Sequence, residues 1–247
     1  MTDIHSHLLF GFDDGASDRD TCCRMLEIYA AGNVRNIACT SHSSQDIDGK
    51  YGECFARCSE LAADFGITLI PALEYSLPDI MQAQKRTLGD GGYLLFDPGS
   101  FPVDPAMITR LMPINAAGHK FLWAHPERLY GERAVKTVEK FAVLLGSACQ
   151  INADSFTGAY GETAQNAAWE LLEHNHCAVI ASDAHNPDGV AGFIAVRKLL
   201  ADLYPAEFIQ LWFETNPARI LTGKLPERRQ PPRLSLGKRI KRYFACR

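Results

Sequence analysis

The chemistry-bearing residues of this chain stand at regular places. Asp3-x-His5-x-His7 comes first. Side chains two apart on a strand point the same way, so His5 and His7 share a face. Imidazoles at that spacing are good ligands for a divalent transition metal. The pattern then recurs wherever an apolar run ends. The later runs finish in Cys39-Thr40-Ser41-His42, Ala72-Leu73-Glu74, Leu95-Phe96-Asp97, Trp123-Ala124-His125-Pro126-Glu127-Arg128 and Ala181-Ser182-Asp183-Ala184-His185. Separate stretches of chain each deliver a His, Asp or Glu at the same end, which scattered loop residues do not do. Asn152 and Asp154 end another apolar run and are placed to support such a cluster. His119 precedes an apolar run and reads as a surface histidine, while His174 and His176 lie at a helix–strand junction remote from these ends and favour the helix C-terminus.

Thiol chemistry does not fit. The chain has eight cysteines, but no C-x-x-C pair and no zinc-finger spacing. A cysteine-based phosphatase needs an Arg six residues after its nucleophile to cradle phosphate, and no cysteine here has one. Cys39, Cys149 and Cys177 sit inside apolar runs and read as buried reduced thiols.

The elements that must position the ionisable residues alternate. Strands are expected over 2–6, 34–41, 67–74, 92–97, 120–125, 147–152 and 177–183. Helices are expected over 17–32, 51–65, 77–85, 103–117, 131–145, 161–175, 189–203, 206–213 and 216–222. Ser17 is the expected cap of the first helix, and Gly32, Gly66, Gly118 and Gly146 the helix stops. Alternation of this kind predicts a parallel sheet with helices outside. Tyr93-Leu94-Leu95-Phe96 and Val179-Ile180-Ala181 are continuously apolar, as strands covered on both faces should be. In a barrel built this way the strand ends converge on one rim, where active sites lie. The length of 247 residues and 47% hydrophobic content suffice for one such domain.

Charge is uneven. Residues 224–247 hold nine Lys or Arg against one acid, Glu227, in a chain whose net charge is −4. An acidic body with a basic tail is not the footprint of a nucleic-acid binder. In the tail Leu234, Leu236, Ile240, Tyr243 and Phe244 interleave with Arg233, Lys238, Arg239, Lys241 and Arg242. That pattern suits contact with an anionic membrane surface or an acidic partner. No signal peptide or apolar span is read, so the expected compartment is the cytoplasm, with the tail as a route to the membrane.

These residues resemble the polymerase and histidinol phosphatase (PHP) superfamily, in its bacterial capsule and exopolysaccharide tyrosine-phosphatase branch. The stretches that carry the resemblance are Asp3-Ile4-His5-Ser6-His7, Asp13-Asp14-Gly15, Thr40-Ser41-His42, Leu73-Glu74-Tyr75, Tyr93-Leu94-Leu95-Phe96-Asp97, His125-Pro126-Glu127-Arg128 and Ser182-Asp183-Ala184-His185-Asn186, with Asn216-Pro217 near the end. The resemblance implies an α/β fold, a single-domain distorted (β/α)7 TIM-like barrel over 1–223 followed by a basic tail over 224–247. It implies two to three divalent ions, Mn2+ foremost and Fe2+ or Zn2+ as alternatives. One would take His5, His7, Glu74 and Asp183; a second would share Glu74 and add Asp97 and His125; a third would take Asp14, His42 and His185. It implies metal-activated attack of hydroxide on phosphorus, with Arg128 orienting the phosphoryl group and His42 and Asp183 essential to turnover. The implied substrate is a phosphotyrosyl protein, such as the cytoplasmic tail of a polysaccharide-biosynthesis tyrosine kinase. A small phosphoester such as histidinol phosphate or a sugar phosphate is the alternative, and a catalytically inactive metal-binding regulatory barrel is a third reading. Asp97 stands where the branch usually has Glu. Ser43 and Ser44 come after Thr-Ser-His where basic residues are common, and Val190 replaces an Arg five residues beyond His185.

Overall fold

The computed structural model describes residues 1–46, 49–82, 85–99, 101 and 104–238, except the side chains of Tyr130 and Glu132. Strand β1 (Thr2–Ser6) leads to helix α1 (Arg19–Ala31), β2 (Asn36–Cys39) and α2 (Tyr51–Asp64). The next run is bent into β3 (Thr68–Pro71) and β4 (Glu74–Tyr75), followed by α3 (Leu77–Gln82), β5 (Tyr93–Phe96) and α4 (Pro105–Ala116). Then come β6 (Lys120–Ala124), α5 (Pro126–Tyr130), α6 (Ala134–Leu145), β7 (Ala148–Asn152), α7 (Glu162–Glu173) and β8 (Val179–Ala181). Helices α8 (Pro187–Leu203), α9 (Ala206–Gln210) and α10 (Asn216–Leu221) follow.

All strand pairs are parallel, in the orders β1-β2-β3 and β4-β5-β6-β7-β8. Parallel bridges His42↔Glu74 and Ser6↔Ala184 join the two sheets at both seams. Since β3 and β4 are one broken strand, the result is the expected distorted seven-stranded (β/α) barrel. Beyond the break at Ala72-Leu73, Glu74 pairs with His42, past the end of β2, and with Leu95 of β5.

Period-two burial explains why the strands read as solidly apolar. Tyr93, Leu95, Leu122, Ala124, Ala148, Val179 and Ala181 form one buried cluster, the barrel filling. Their neighbours Leu94, Phe96, Phe121, Trp123, Cys149 and Ile180 pack with helix residues such as Leu111 and Phe141. The Trp123 and Phe141 rings lie 4.4 Å apart between centroids. Each strand is thus covered on both faces.

Local details depart from the sequence reading in three ways. Asp18 caps α1 rather than Ser17, its carboxylate accepting from Thr21 N; a carboxylate at the positive helix end outcompetes a hydroxyl one residue earlier. The short helix α5 starts directly after His125 with Pro126 at its first position, where proline is pre-organised for a helix. Between α9 and α10 a single π-helical turn spans Leu211–Thr215.

Residues beyond α10 lie against the barrel wall. Asn216, fully buried, donates to Ala178 O and Glu227 O and accepts from Glu227 N. Gln230 donates to Glu173 O, and Lys238 to Leu203 O. The basic and apolar residues from Arg239 onward, Ile240, Tyr243 and Phe244 among them, fall outside the described residues. Among the described residues no helix is long and apolar enough to cross a membrane.

Candidate metal centre

The rim is built by an irregularity in β1. Its register against β2 slips between Asp3 and Ser6, so the strand carries an extra residue. Asp3 and Ser6 consequently face helix α1, where the Tyr29 hydroxyl meets Asp3 Oδ2 at 2.7 Å, Ser6 Oγ at 3.0 Å and Ser182 Oγ at 3.0 Å. His5 and His7 face the rim instead. The first acid of Asp-x-His-x-His is therefore a buried clamp tying β1 to α1 and to the end of β8.

All nine ligand candidates converge. Ligand atoms lie within 4.8 Å of one another in four overlapping groups: His7, Asp14, His42 and His185; His5, His125 and Asp183; His5, His7 and Glu74; and Glu74, Asp97 and His125. His7 thus adjoins the Asp14 group as well as His5 and Glu74, and Asp183 groups with His5 and His125. Glu74 is the hub. Its oxygens stand 3.0–3.5 Å from nitrogens of His5, His7, His42 and His125. Asp183 Oδ1 lies 3.1 Å from His5 Nε2 and 3.4 Å from His7 Nε2. His185 Nε2 and His42 Nε2 approach the exposed Asp14 at 3.4 and 3.3 Å.

Electrostatics follow from this crowding. Burial would push the Glu74 and Asp183 carboxyls up, but the neighbouring imidazoles, His5 first, hold both well below the usual range. Burial would lower His5, yet Asp183 and Glu74 outweigh it and raise it to about 10. His7 and His125 are raised against burial in the same way, and His42 chiefly by its contact with Glu74. Burial lowers His185. The carboxylates thus demand positive charge at the spot where the imidazoles converge. Glu74 Oε1 is buried with no hydrogen-bond partner. A dense set of imidazole nitrogens and carboxylate oxygens around an unsatisfied buried oxygen fits divalent metal ions.

Residues beyond the motif assignments orient the ligands. Asp13 Oδ2 lies 2.8 Å from His7 Nδ1 and accepts from His42 N at 3.1 Å. Burial works against it, but these bonds hold the Asp13 carboxyl down at about 2. Gln150 Oε1 lies 3.1 Å from His5 Nδ1. His185 Nδ1 meets Asp183 O at 2.8 Å. Each contact fixes one ring nitrogen and leaves the other for the cluster. Gly15 is needed here because a Cβ would stand 2.0 Å from His7 O. His125 and Asp183 have φ of 33° and 53°, left-handed values that non-glycine residues hold only when their surroundings compel it.

Arg128, in the short helix α5 just beyond His125, donates to Asp183 Oδ2 at 2.6 Å. Its guanidinium lies over the Tyr160 ring, 4.2 Å from the centroid. Asn152 Nδ2 also donates to Asp183 Oδ2, at 3.0 Å. Glu127, fully buried, accepts from Asn152 N and Ser155 Oγ and so pins the loop after β7. His174 contacts Glu170 O and His176 contacts Glu139, both away from the rim as expected. Cys39, Cys149 and Cys177 are buried free thiols, as their apolar settings imply, and so are Cys22 and Cys58.

The family model for capsular polysaccharide synthesis, CpsB/CapC, matches residues 1–222. The chain belongs to the CpsB/CapC family. Among its relatives is the tyrosine-protein phosphatase CpsB of Streptococcus pneumoniae, 29% identical over 91% of this chain and 100% of that protein. Tyrosine-protein phosphatase YwqE of Bacillus subtilis is 29% identical over 75% of this chain and 78% of its own length. A solved structure from work on YwqE and CpsB, described as unique metal-dependent tyrosine phosphatases, superposes with a TM-score of 0.76 at 23% identity, covering 95% of this chain and 100% of that one. The fold is also shared with a β-aspartyl dipeptidase of Fervidobacterium islandicum AW-1, at a TM-score of 0.57, 16% identity and coverage of 95% of this chain and 78% of that one.

Within this CpsB/CapC barrel the departures from the branch pattern have definite places. Asp97, though one methylene shorter than Glu, still reaches Glu74 and His125. Val190 is fully buried on the core-facing side of α8, so that position offers nothing to the rim. Ser43 is buried and Ser44 exposed.

Proposed function

We propose that this chain is a metal-dependent protein-tyrosine phosphatase, a phosphoric monoester hydrolase of capsule or exopolysaccharide biosynthesis. One observation carries the reading: overlapping groups of imidazole and carboxylate ligand atoms meet beside an arginine at the rim of a CpsB/CapC barrel. His5, His7, Glu74 and Asp183 would hold one ion, Glu74, Asp97 and His125 a second, and Asp14, His42 and His185 a third, manganese being the first candidate. Bound ions would supply Lewis acidity and charge neutralisation for water attacking phosphorus. Arg128 offers a planar fork of N–H donors to phosphoryl oxygens. To do so it leaves Asp183 Oδ2, which Asn152 continues to hold. Glu74 keeps the ligand sets together, because it alone belongs to both the His5–His7 and the Asp97–His125 groups.

The proposed substrate is the phosphorylated cytoplasmic tail of a polysaccharide-biosynthesis tyrosine kinase, met in the cytoplasm, with the basic tail 224–247 close to the membrane surface. Chelated protein is reloaded with Mn2+, Fe2+ or Zn2+ and assayed against a phosphotyrosyl peptide, sugar phosphates and histidinol phosphate. Metal-dependent turnover of the peptide above the small esters is expected, with strong loss in His42→Ala and Asp183→Ala. Full activity in metal-free protein sinks the metal mechanism. Preference for a small ester sinks the protein substrate. Bound metal with no turnover of any ester would leave only the regulatory barrel.

A further inference from the structure

The loop after β7 presents an aromatic ring to the only arginine found at the metal-ligand cluster among the described residues. Gly158-Ala159-Tyr160-Gly161 forms a tight turn, with Gly161 N donating to Gly158 O at 2.9 Å and both glycines at positive φ. The turn is not loose. Glu127 anchors Asn152 and Ser155 at its base, and Asn152 Nδ2 reaches the Tyr160 hydroxyl at 3.3 Å. Tyr160 nevertheless stays 40% exposed. One face carries the Arg128 guanidinium at 4.2 Å. The same guanidinium donates to Asp183, an expected metal ligand, at 2.6 Å.

We propose that Tyr160 is a positioning and specificity residue of this site: its ring holds Arg128 at the cluster and forms the wall on which the aryl group of a phosphate ester packs. The inference rests on the phosphatase reading above and adds to it which residue selects an aryl over an alkyl ester. A stacked guanidinium keeps its N–H edge free, so Arg128 can turn from Asp183 to a phosphoryl oxygen without leaving the ring. The exposed part of Tyr160, beside Arg128, offers an aromatic surface to the organic group of an ester whose phosphoryl group Arg128 binds. A phenyl ring there gains an offset or edge contact, and an alkyl chain gains less.

The test uses metal-loaded protein, with phenylphosphonate and methylphosphonate as probes whose binding is read by calorimetry. Wild type is expected to favour phenylphosphonate. Tyr160→Leu is expected to lose roughly 5- to 20-fold of that preference, the scale of an aromatic contact, while Tyr160→Phe and Tyr160→Trp restore it. On a phosphotyrosyl peptide, Tyr160→Leu should raise KM by a similar factor, a larger change than its effect on kcat. Metal content should equal that of wild type. An unchanged phenyl-to-methyl ratio in Tyr160→Leu overturns the proposal. So does an equal loss on both probes accompanied by lost metal, which marks a purely structural role. If wild type binds the phosphonates selectively yet hydrolyses no phosphoester, the phosphatase reading fails and the ring's selectivity stands.

Discussion

Replacing Gln150 by Met separates ligand orientation from fold stability. The two side chains are close in length and shape. Gln150 is fully buried on β7, and its Oε1 stands 3.1 Å from His5 Nδ1. A carboxamide oxygen only accepts, so this contact keeps the hydrogen on Nδ1 and turns Nε2 toward Asp183 and Glu74. The Gln150 Nε2 group, by contrast, is buried without a partner. Removing the carboxamide therefore has two opposed effects on the metal-free protein. His5 loses an acceptor, costing about 1–3 kcal/mol, and an unpaired buried donor disappears, returning about as much. The metal-free melting temperature should stay nearly unchanged. Metal affinity should not. Loss of such an orienting partner costs typically ~10- to 100-fold, which is about 1.4–2.7 kcal/mol. Through linkage the same amount leaves the metal-loaded stability at fixed metal concentration. For a domain of this size that lowers the melting temperature by roughly 3–10 °C. Differential scanning calorimetry with and without Mn2+, and chelator competition for affinity, measure both numbers. Equal drops with and without metal, or an unchanged affinity, would refute the reasoning.

Three further changes test other parts of the site. Burial first, and the Asp183 charge second, raise the Asp154 carboxyl from 3.8 to about 6. The folded chain then keeps a proton that the unfolded chain has released, so stability falls as pH rises from about 3.8 to about 6. That gap is worth about 3 kcal/mol at most, and solvent screening of this part-exposed group reduces it to roughly 1. Asp154→Asn should accordingly stabilise the metal-free protein above pH 6 and not near pH 3.5, as denaturant unfolding at the two pH values will show; equal effects at both would refute it. Glu127→Ala strands Asn152 N and Ser155 Oγ in the interior and should cost about 2–5 kcal/mol, measured by urea unfolding; a loss under ~1 kcal/mol counts against the clamp. Gly15→Ala forces a Cβ to within 2.0 Å of His7 O, so His7 must move and metal content, read by elemental analysis, should fall.

Much of the architecture was legible because burial on both faces of a parallel strand leaves a plain mark. Val179-Ile180-Ala181 and Tyr93-Leu94-Leu95-Phe96 have no polar residue to confuse the reading, and both are fully buried strands. What escaped was set by competition among neighbours. Asp18 rather than Ser17 caps α1 because two adjacent residues could each do so. The helix after His125 is five residues long, too short for any 3.6-residue period to show. The slip in β1 is invisible in Asp3-Ile4-His5-Ser6-His7, since strict alternation would turn Asp3 the same way as His5.

The ligands themselves were readable for a reason that does not extend to their supports. A residue that must touch a metal has few acceptable types, and the end of a strand is where the fold delivers it; His, Asp and Glu at those ends therefore stand out. A residue that merely holds an imidazole needs one acceptor in the right place, and almost any polar side chain serves. Asp13 does this for His7, Gln150 for His5 and a backbone carbonyl for His185. Nothing in the spelling of Ala148-Cys149-Gln150 distinguishes Gln150 from an ordinary strand residue. Its inward turn comes from the register of β7 against β6 and β8, fixed by pairings with strands distant in sequence. Tyr160 is hidden in the same way: its importance rests on Arg128 lying across its face, a contact between the segments that follow β6 and β7, which the pairing of those two strands brings together.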